Sequence, residues 1–233
     1  ESFDESYWAN PIDLLASGIS AATHTNVVSP TFLDEVAMGH HSTIPPHLSH
    51  LLYHKREAGI ASGIVNAPDR SFNPQIDPYL PEKYGPRRHH TIKPKLKKDL
   101  QKRLLLKEDP SVPILFWPSR LDPIQKGCSL LADILFQLIN DYSHLGLQIV
   151  MIADGPYQQH FQGIVAYHGI SDRIAVQPFS ESLSHLGYGG SDFVLMPSSF
   201  EPCGLPQMIG CRYGSLPIAH ATGGLKDTVR HLN

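Results

Sequence analysis

The chain has 233 residues, 41 % of them hydrophobic and 18 % charged, with a formal net charge of −3. That composition can bury a core and excludes a disordered chain, while the slightly acidic balance argues against a nucleic-acid-coating protein. No apolar run approaches transmembrane length, and three cysteines (Cys128, Cys203, Cys211) at no metal-ligand spacing fit a reducing compartment better than a disulfide framework. The first residue is Glu1 rather than Met, no signal-peptide pattern follows, and Asn233 comes directly after a turn motif, so the chain reads as a piece of a longer protein.

Residues 10–22 read as a helix, Asn26–Pro30 as a short strand running into a loop, and a second helix begins at Thr31, with Thr31 as its expected cap. Residues 59–95 are rich in Pro, Asn and Asp and leave little room for regular structure. We read three parts: 1–58, the end of a first domain; 59–95, an interdomain linker and the start of the next domain; and 96–233, a second domain. A basic helix is expected over Lys95–Leu104. Nine of the nineteen Lys and Arg fall within 87–107, which reads as a solvated amphipathic face. The fourteen histidines, with no Cys or carboxylate completing a site at usual spacing, read as surface residues and not as metal ligands.

From residue 112 the pattern is regular. Strand-length apolar runs at Pro113–Trp117, Leu147–Ala153, Ile174–Val176, Phe193–Met196 and Leu216–Ala219 alternate with helical patterns at Cys128–Tyr142, Tyr157–Tyr167, Glu181–Tyr188 and Leu205–Tyr213. This implies an α/β, doubly wound parallel sheet covered on both faces, with ligands at the carboxyl ends of its strands.

The segments after those strands carry the chemistry. Ser119-Arg-Leu-Asp-Pro-Ile-Gln-Lys-Gly127 puts Arg120 and Lys126 in one strand-to-helix loop, a pair of cations suited to a diphosphate. Pro197-Ser-Ser-Phe-Glu-Pro-Cys-Gly-Leu205 sets the Glu201 carboxylate beside Gly204, where the backbone can approach a ligand at a helix start. Thr222-Gly-Gly-Leu-Lys-Asp-Thr228 offers a further close-approach loop at Gly223 and Gly224. The plain alternatives are solvated surface charges and an ordinary capped loop, with Glu201 complementing a helix dipole.

Together, Glu201-Pro-Cys-Gly-Leu205, Arg120-Leu…Gln-Lys-Gly127 and Thr222-Gly-Gly-Leu-Lys-Asp-Thr-Val229 resemble the bacterial glycogen synthases and plant starch synthases. Val28-Ser-Pro-Thr31 with Glu35, Ser62–Asp69 and Tyr213-Gly-Ser-Leu-Pro217 extend the resemblance over nearly the whole chain, in the family's order. The resemblance implies a GT-B-type glycosyltransferase: a Rossmann-like nucleotide-sugar domain preceded by the tail of another Rossmann-like domain. It further implies retaining transfer of glucose from ADP-glucose to the non-reducing 4-hydroxyl of an α-1,4-glucan (glycogen, starch or maltooligosaccharides), without an obligatory metal, at no membrane, in a bacterial cytoplasm or a plastid stroma.

Carried over by position, Arg120 and Lys126 would hold the diphosphate and Glu201 the donor glucose. Backbone groups near Cys203, Gly204 and Leu205 would touch sugar and phosphate, and Thr222, Gly223 and Gly224 would line the same site. Phe179 stands where the family usually has a base-stacking Tyr, and Asn66 would line the cleft. Pro206 replaces a common Thr, and the Arg120–Lys126 loop is one residue longer than usual. Two other readings stand beside this one. The first is a UDP-glucose-using relative of the same architecture. Many of those carry a second Glu eight residues after the first, where this chain has Ile209. The second is a non-catalytic glucan- or nucleotide-binding relative.

Overall fold

A computed structural model describes residues 12–231. The first unit contains α1 (Leu14–Ala21), β1 (Thr25–Val27), α2 (Pro30–Ala37), α3 (Pro46–Glu57) and β2 (Ala61–Gly63). β1 and β2 pair in parallel, Asn26 opposite Ser62. Residues 10–11 of the expected first helix lie outside the described residues. The second helix is capped by Ser29, not Thr31: the Ser29 hydroxyl accepts from Phe32 N–H at 3.0 Å, and Pro30 occupies the first helical position, where its missing N–H costs nothing. Leu33, Val36 and Leu52 form a small core between α2 and α3.

The segment from 64 to 88 carries no regular helix or strand, yet it is tied down. Asp77 is fully buried, and its carboxylate accepts from the Tyr213 hydroxyl and lies 2.8 Å from His185 Nδ1. Phe72 stacks on the His185 ring at 4.7 Å, and the Tyr84 hydroxyl donates to Tyr213 O at 2.7 Å. Burial pushes the Asp77 carboxyl up, but the hydrogen bonds from His185, Tyr213 and the Tyr79 N–H outweigh it and hold it below the usual carboxylate range.

α4 (His89–Arg103) starts six residues before the expected Lys95 and tolerates Pro94 within it. Its basic run is not all solvated. Lys97 is buried and pairs with Asp192 at 2.7 Å, and Lys93 donates to Gly189 O and Tyr213 O, both at 3.0 Å, at the carboxyl ends of two other helices. Burial lowers the Lys93 ammonium to about 7.

The second unit is a five-stranded parallel sheet: β3 (Ile114–Trp117), β4 (Gln148–Ile152), β5 (Ile174–Gln177), β6 (Phe193–Met196) and β7 (Leu216–Ala219), in the order β5-β4-β3-β6-β7. Between and after them come α5 (Cys128–Asp141), α6 (Gln158–His168), α7 (Glu181–Gly190), α8 (Pro206–Tyr213) and α9 (Gly223–Thr228). Alternate strand residues serve opposite faces. Phe116, Val150 and Val194 pack with α4, α7 and α8, whereas Leu115, Trp117, Ile149 and Met151 pack with α5 and α6. This is the expected doubly wound α/β sheet, except at one edge. Leu216 and Ile218 of β7 are 49 % and 45 % exposed, so coverage on both faces fails there. Among the described residues nothing packs over that face, and Ile218 lines an apolar groove of about 430 Å³ with Leu130, Ile134 and Leu195. No described helix is long and apolar enough to cross a membrane.

Candidate functional site

The chain builds β3, β4 and β5 to one side and then crosses to lay β6 on the other side of β3. The strand order therefore reverses between β3 and β6. Loops leaving two such strands diverge and open a crevice at their carboxyl ends, where open α/β sheets bind ligands. The loop after β3 carries Arg120 and Lys126, and the loop after β6 carries Glu201.

The two loops are knitted together. Ser199 N–H donates to Gln125 O at 2.9 Å. Asp122 Oδ1 accepts from the N–H groups of Ile124 and Gln125 at 2.9 and 2.7 Å, which closes a local turn. Gly127 starts α5 at φ +75°, and a Cβ there would stand 2.2 Å from Pro197 O, so only glycine lets the loops meet.

In this frame Lys126 Nζ lies 2.6 Å from Glu201 Oε2, with the two side chains only 12 % and 8 % exposed. Ser198 Oγ also donates to that oxygen at 3.2 Å. Arg120 is exposed on the same loop and pairs with no described carboxylate. The arrangement is one partly buried cation held by one buried carboxylate, with a second, exposed cation on the same loop.

The remaining expected site residues divide. Gly204 has φ +71°, and Leu205 precedes α8, whose first position is Pro206. Cys203 is 6 % exposed; burial pushes its thiol up, a backbone hydrogen bond from Asn66 pulls against that, and the net rise makes it a poor nucleophile. Asn66 is exposed in the segment that leaves β2. Phe179 is 57 % exposed after β5, its N–H held by Asp154 Oδ1 at 3.0 Å, and presents an aromatic face.

Thr222, Gly223 and Gly224 are buried, and the polar groups of the first two are already engaged by Glu35. Gly224 N–H donates to Glu201 O at 2.9 Å. A Cβ on Gly223 would stand 2.0 Å from Glu201 O, and one on Gly224 2.2 Å from Cys203 O. These residues brace the Glu201 loop from behind.

Sequence reasoning missed Ser198, Asp154 and Gln207, whose side-chain amide donates to Cys203 O at 3.1 Å and Gly204 O at 2.9 Å. Their proximity to named motifs was the only signal. Among the described residues, no group of three or more His, Cys, Asp or Glu side chains is gathered as metal ligands would be. Of the fourteen histidines, His185 is not a surface residue but lies buried against Asp77.

No family model matches the chain. Over 226 residues it is 38 % identical to a glycogen synthase of Pectobacterium carotovorum, an alignment that covers 94 % of this chain and 44 % of the relative. A glycogen synthase of Nitrosomonas europaea is 37 % identical over 228 residues, again 44 % of its length. The chain thus spans less than half the length of the curated relatives it matches. Among solved structures, the catalytic domain of starch synthase IV from Arabidopsis thaliana, bound to ADP and acarbose, superposes with a TM-score of 0.82 at 33 % identity, over 94 % of this chain and 43 % of that one. Anabaena HepE in complex with UDP-glucose, at 18 % identity and a TM-score of 0.59, shares the fold.

Proposed function

We propose that this chain, a homologue of the glycogen and starch synthases with a GT-B-type glycosyltransferase fold, is the nucleotide-sugar half of a retaining glucosyltransferase. The whole enzyme transfers glucose from ADP-glucose to the non-reducing 4-hydroxyl of an α-1,4-glucan, in a bacterial cytoplasm or a plastid stroma. Residues 1–58 are the end of the acceptor-side domain, 59–95 the linker and the start of the donor domain, and 96–233 the rest of the donor domain.

The observation that carries this reading is the convergence of Lys126 and Glu201 from the two strands that flank the sheet's switch point. Breaking the bond from glucose to diphosphate leaves negative charge on the departing nucleotide and positive charge on the sugar. Arg120 and Lys126 stabilise the first, and preorganised cations do this without solvent rearrangement. Glu201 holds the glucose through its hydroxyls and steadies the second. Without donor, Lys126 and Glu201 neutralise each other; the arriving diphosphate takes Lys126 and leaves the carboxylate to the sugar. Phe179 stacks on the base, and Asn66 lines the cleft.

Two measurements test this. Labelled glucose supplied as ADP-glucose, with UDP-glucose in parallel, should be incorporated into glycogen by the full-length protein from the ADP donor, whereas the 233-residue chain alone should show no turnover. Incorporation from neither donor, with ADP still bound, would identify a non-catalytic relative. Replacing Arg120 and Lys126 together with Ala should weaken calorimetric ADP affinity by about tenfold or more; unchanged affinity removes them from the phosphate site. The UDP-glucose reading lacks its second carboxylate, because the position eight residues after Glu201 is Ile209, 5 % exposed in the core.

A further inference from the structure

The two units meet through a reciprocal pair of carboxylates. Glu35 on α2 accepts from Gly223 N–H at 3.0 Å and from the Thr222 hydroxyl at 3.1 Å, at the start of α9. Asp227 on α9 accepts from Thr31 N–H at 3.0 Å and the Thr31 hydroxyl at 2.6 Å, at the start of α2. Each helix supplies the negative charge that the other's unpaired N-terminal N–H groups favour.

The two arms differ in what lies behind them. Asp227 only fastens α2. Glu35 grips Thr222 and Gly223, and the next residue, Gly224, holds Glu201 O through its N–H at 2.9 Å. The second oxygen of Glu35 lies 3.0 Å from His41 Nε2, and the His41 ring sits 5.5 Å from that of Phe200, the neighbour of Glu201. Glu35 therefore reaches the Glu201 loop along two routes, one through α9 and one through His41.

We infer that Glu35, from the first unit, is a positioning residue for Glu201 of the second: it fixes where the backbone of residues 201–203 stands, so the donor-sugar site takes its shape from the contact between the units. This rests on the glucosyltransferase reading for its kinetic consequences, though not for its structural one. Asp227 is the internal control, because it loosens the same junction without touching residues 222–224.

In the full-length protein, Glu35→Ala should lower kcat by about tenfold while ADP affinity by calorimetry stays within about twofold. Glu35→Gln keeps an acceptor for Gly223 N–H and should restore most of kcat. Asp227→Ala should change kcat by less than about twofold although it lowers the melting temperature. Thr222→Val removes one of the partners of Glu35 and should lower kcat less than Glu35→Ala does, and the double variant should be no slower than Glu35→Ala, as expected of groups acting through one contact. An unchanged kcat in Glu35→Ala, an equal loss in Asp227→Ala, or additive losses with Thr222→Val would each overturn the inference. Hydrogen exchange reads the same contact without turnover: Glu35→Ala should speed exchange at the Gly224 amide. Unaltered protection there overturns the inference whatever the activity. Faster exchange in a protein that transfers no glucose upholds it and overturns only the glucosyltransferase reading.

Discussion

Glu201→Ala is expected to reduce glucose transfer by about a hundred- to a thousandfold while ADP affinity stays level or tightens. The asymmetry follows from the partners of the carboxylate. Glu201 is bound by Lys126 at 2.6 Å and by Ser198 at 3.2 Å, so without donor it occupies a cation that a diphosphate would otherwise take. Removing it takes away the proposed contact to the sugar and, in the same stroke, the partner that holds Lys126. Calorimetry with ADP and initial rates with ADP-glucose separate the two effects. Glu201→Gln refines the test: it keeps the shape and an acceptor but not the charge, so its rate reports how much of the loss is electrostatic. A parallel loss of affinity and rate would mean that Glu201 serves mainly to aim Lys126.

The second large effect is on stability. Asp77→Ala should cost about 3 kcal/mol, because it leaves the Tyr213 hydroxyl and His185 Nδ1 buried without their shared acceptor. For a chain of this size that is a fall in melting temperature of roughly 6–12 °C. Tyr213→Phe, which removes one donor and leaves the acceptor satisfied by His185, should cost about 1 kcal/mol. The pH dependence has a defined sign. The folded Asp77 carboxyl titrates below its unfolded value of about 4, so its contribution is complete above that pH and is lost as pH falls through the folded value. Urea unfolding of the wild type should therefore weaken more steeply below about pH 4 than that of Asp77→Ala. Equal acid slopes would show that the carboxylate is not what the acid titrates.

The second unit was legible almost to the residue. Its strands are buried on both faces over most of their length, so they appear as unbroken apolar runs between Gly- and Pro-marked loops; Phe193–Met196 and Leu216–Ala219 coincide with β6 and β7. β7 also shows the limit of that signal, since an apolar run does not say whether anything covers it. Two helices start earlier than expected, and each includes a proline. Pro30 is the first residue of α2 behind the Ser29 cap, and Pro94 lies inside α4, held there by the packing of Ile92, Leu96 and Leu100.

At the candidate site, Arg120, Lys126 and Glu201 could be singled out because each follows a recognisable strand, and the structure brings Lys126 and Glu201 together. The hold of Glu35 on Thr222 could not: 187 residues separate them, and no periodicity or local composition encodes a hydrogen bond across two units. The same holds for Asp77, which sits in a stretch that looks like loose linker while its partners lie 108 and 136 residues away.

The glycine pair at the start of α9 has a consequence for how this region can vary. Gly223 sits at φ +45° with Glu201 O where its Cβ would be, and Gly224 meets Cys203 in the same way. In both cases the obstacle is main chain, which cannot swing aside as a side chain can. Neither position has a tolerated single-step neighbour in sequence space: any other residue at 223 or 224 displaces the 201–203 backbone before it gains a contact of its own. The two loops can diverge only in concert, by a path that first moves the one carrying Glu201.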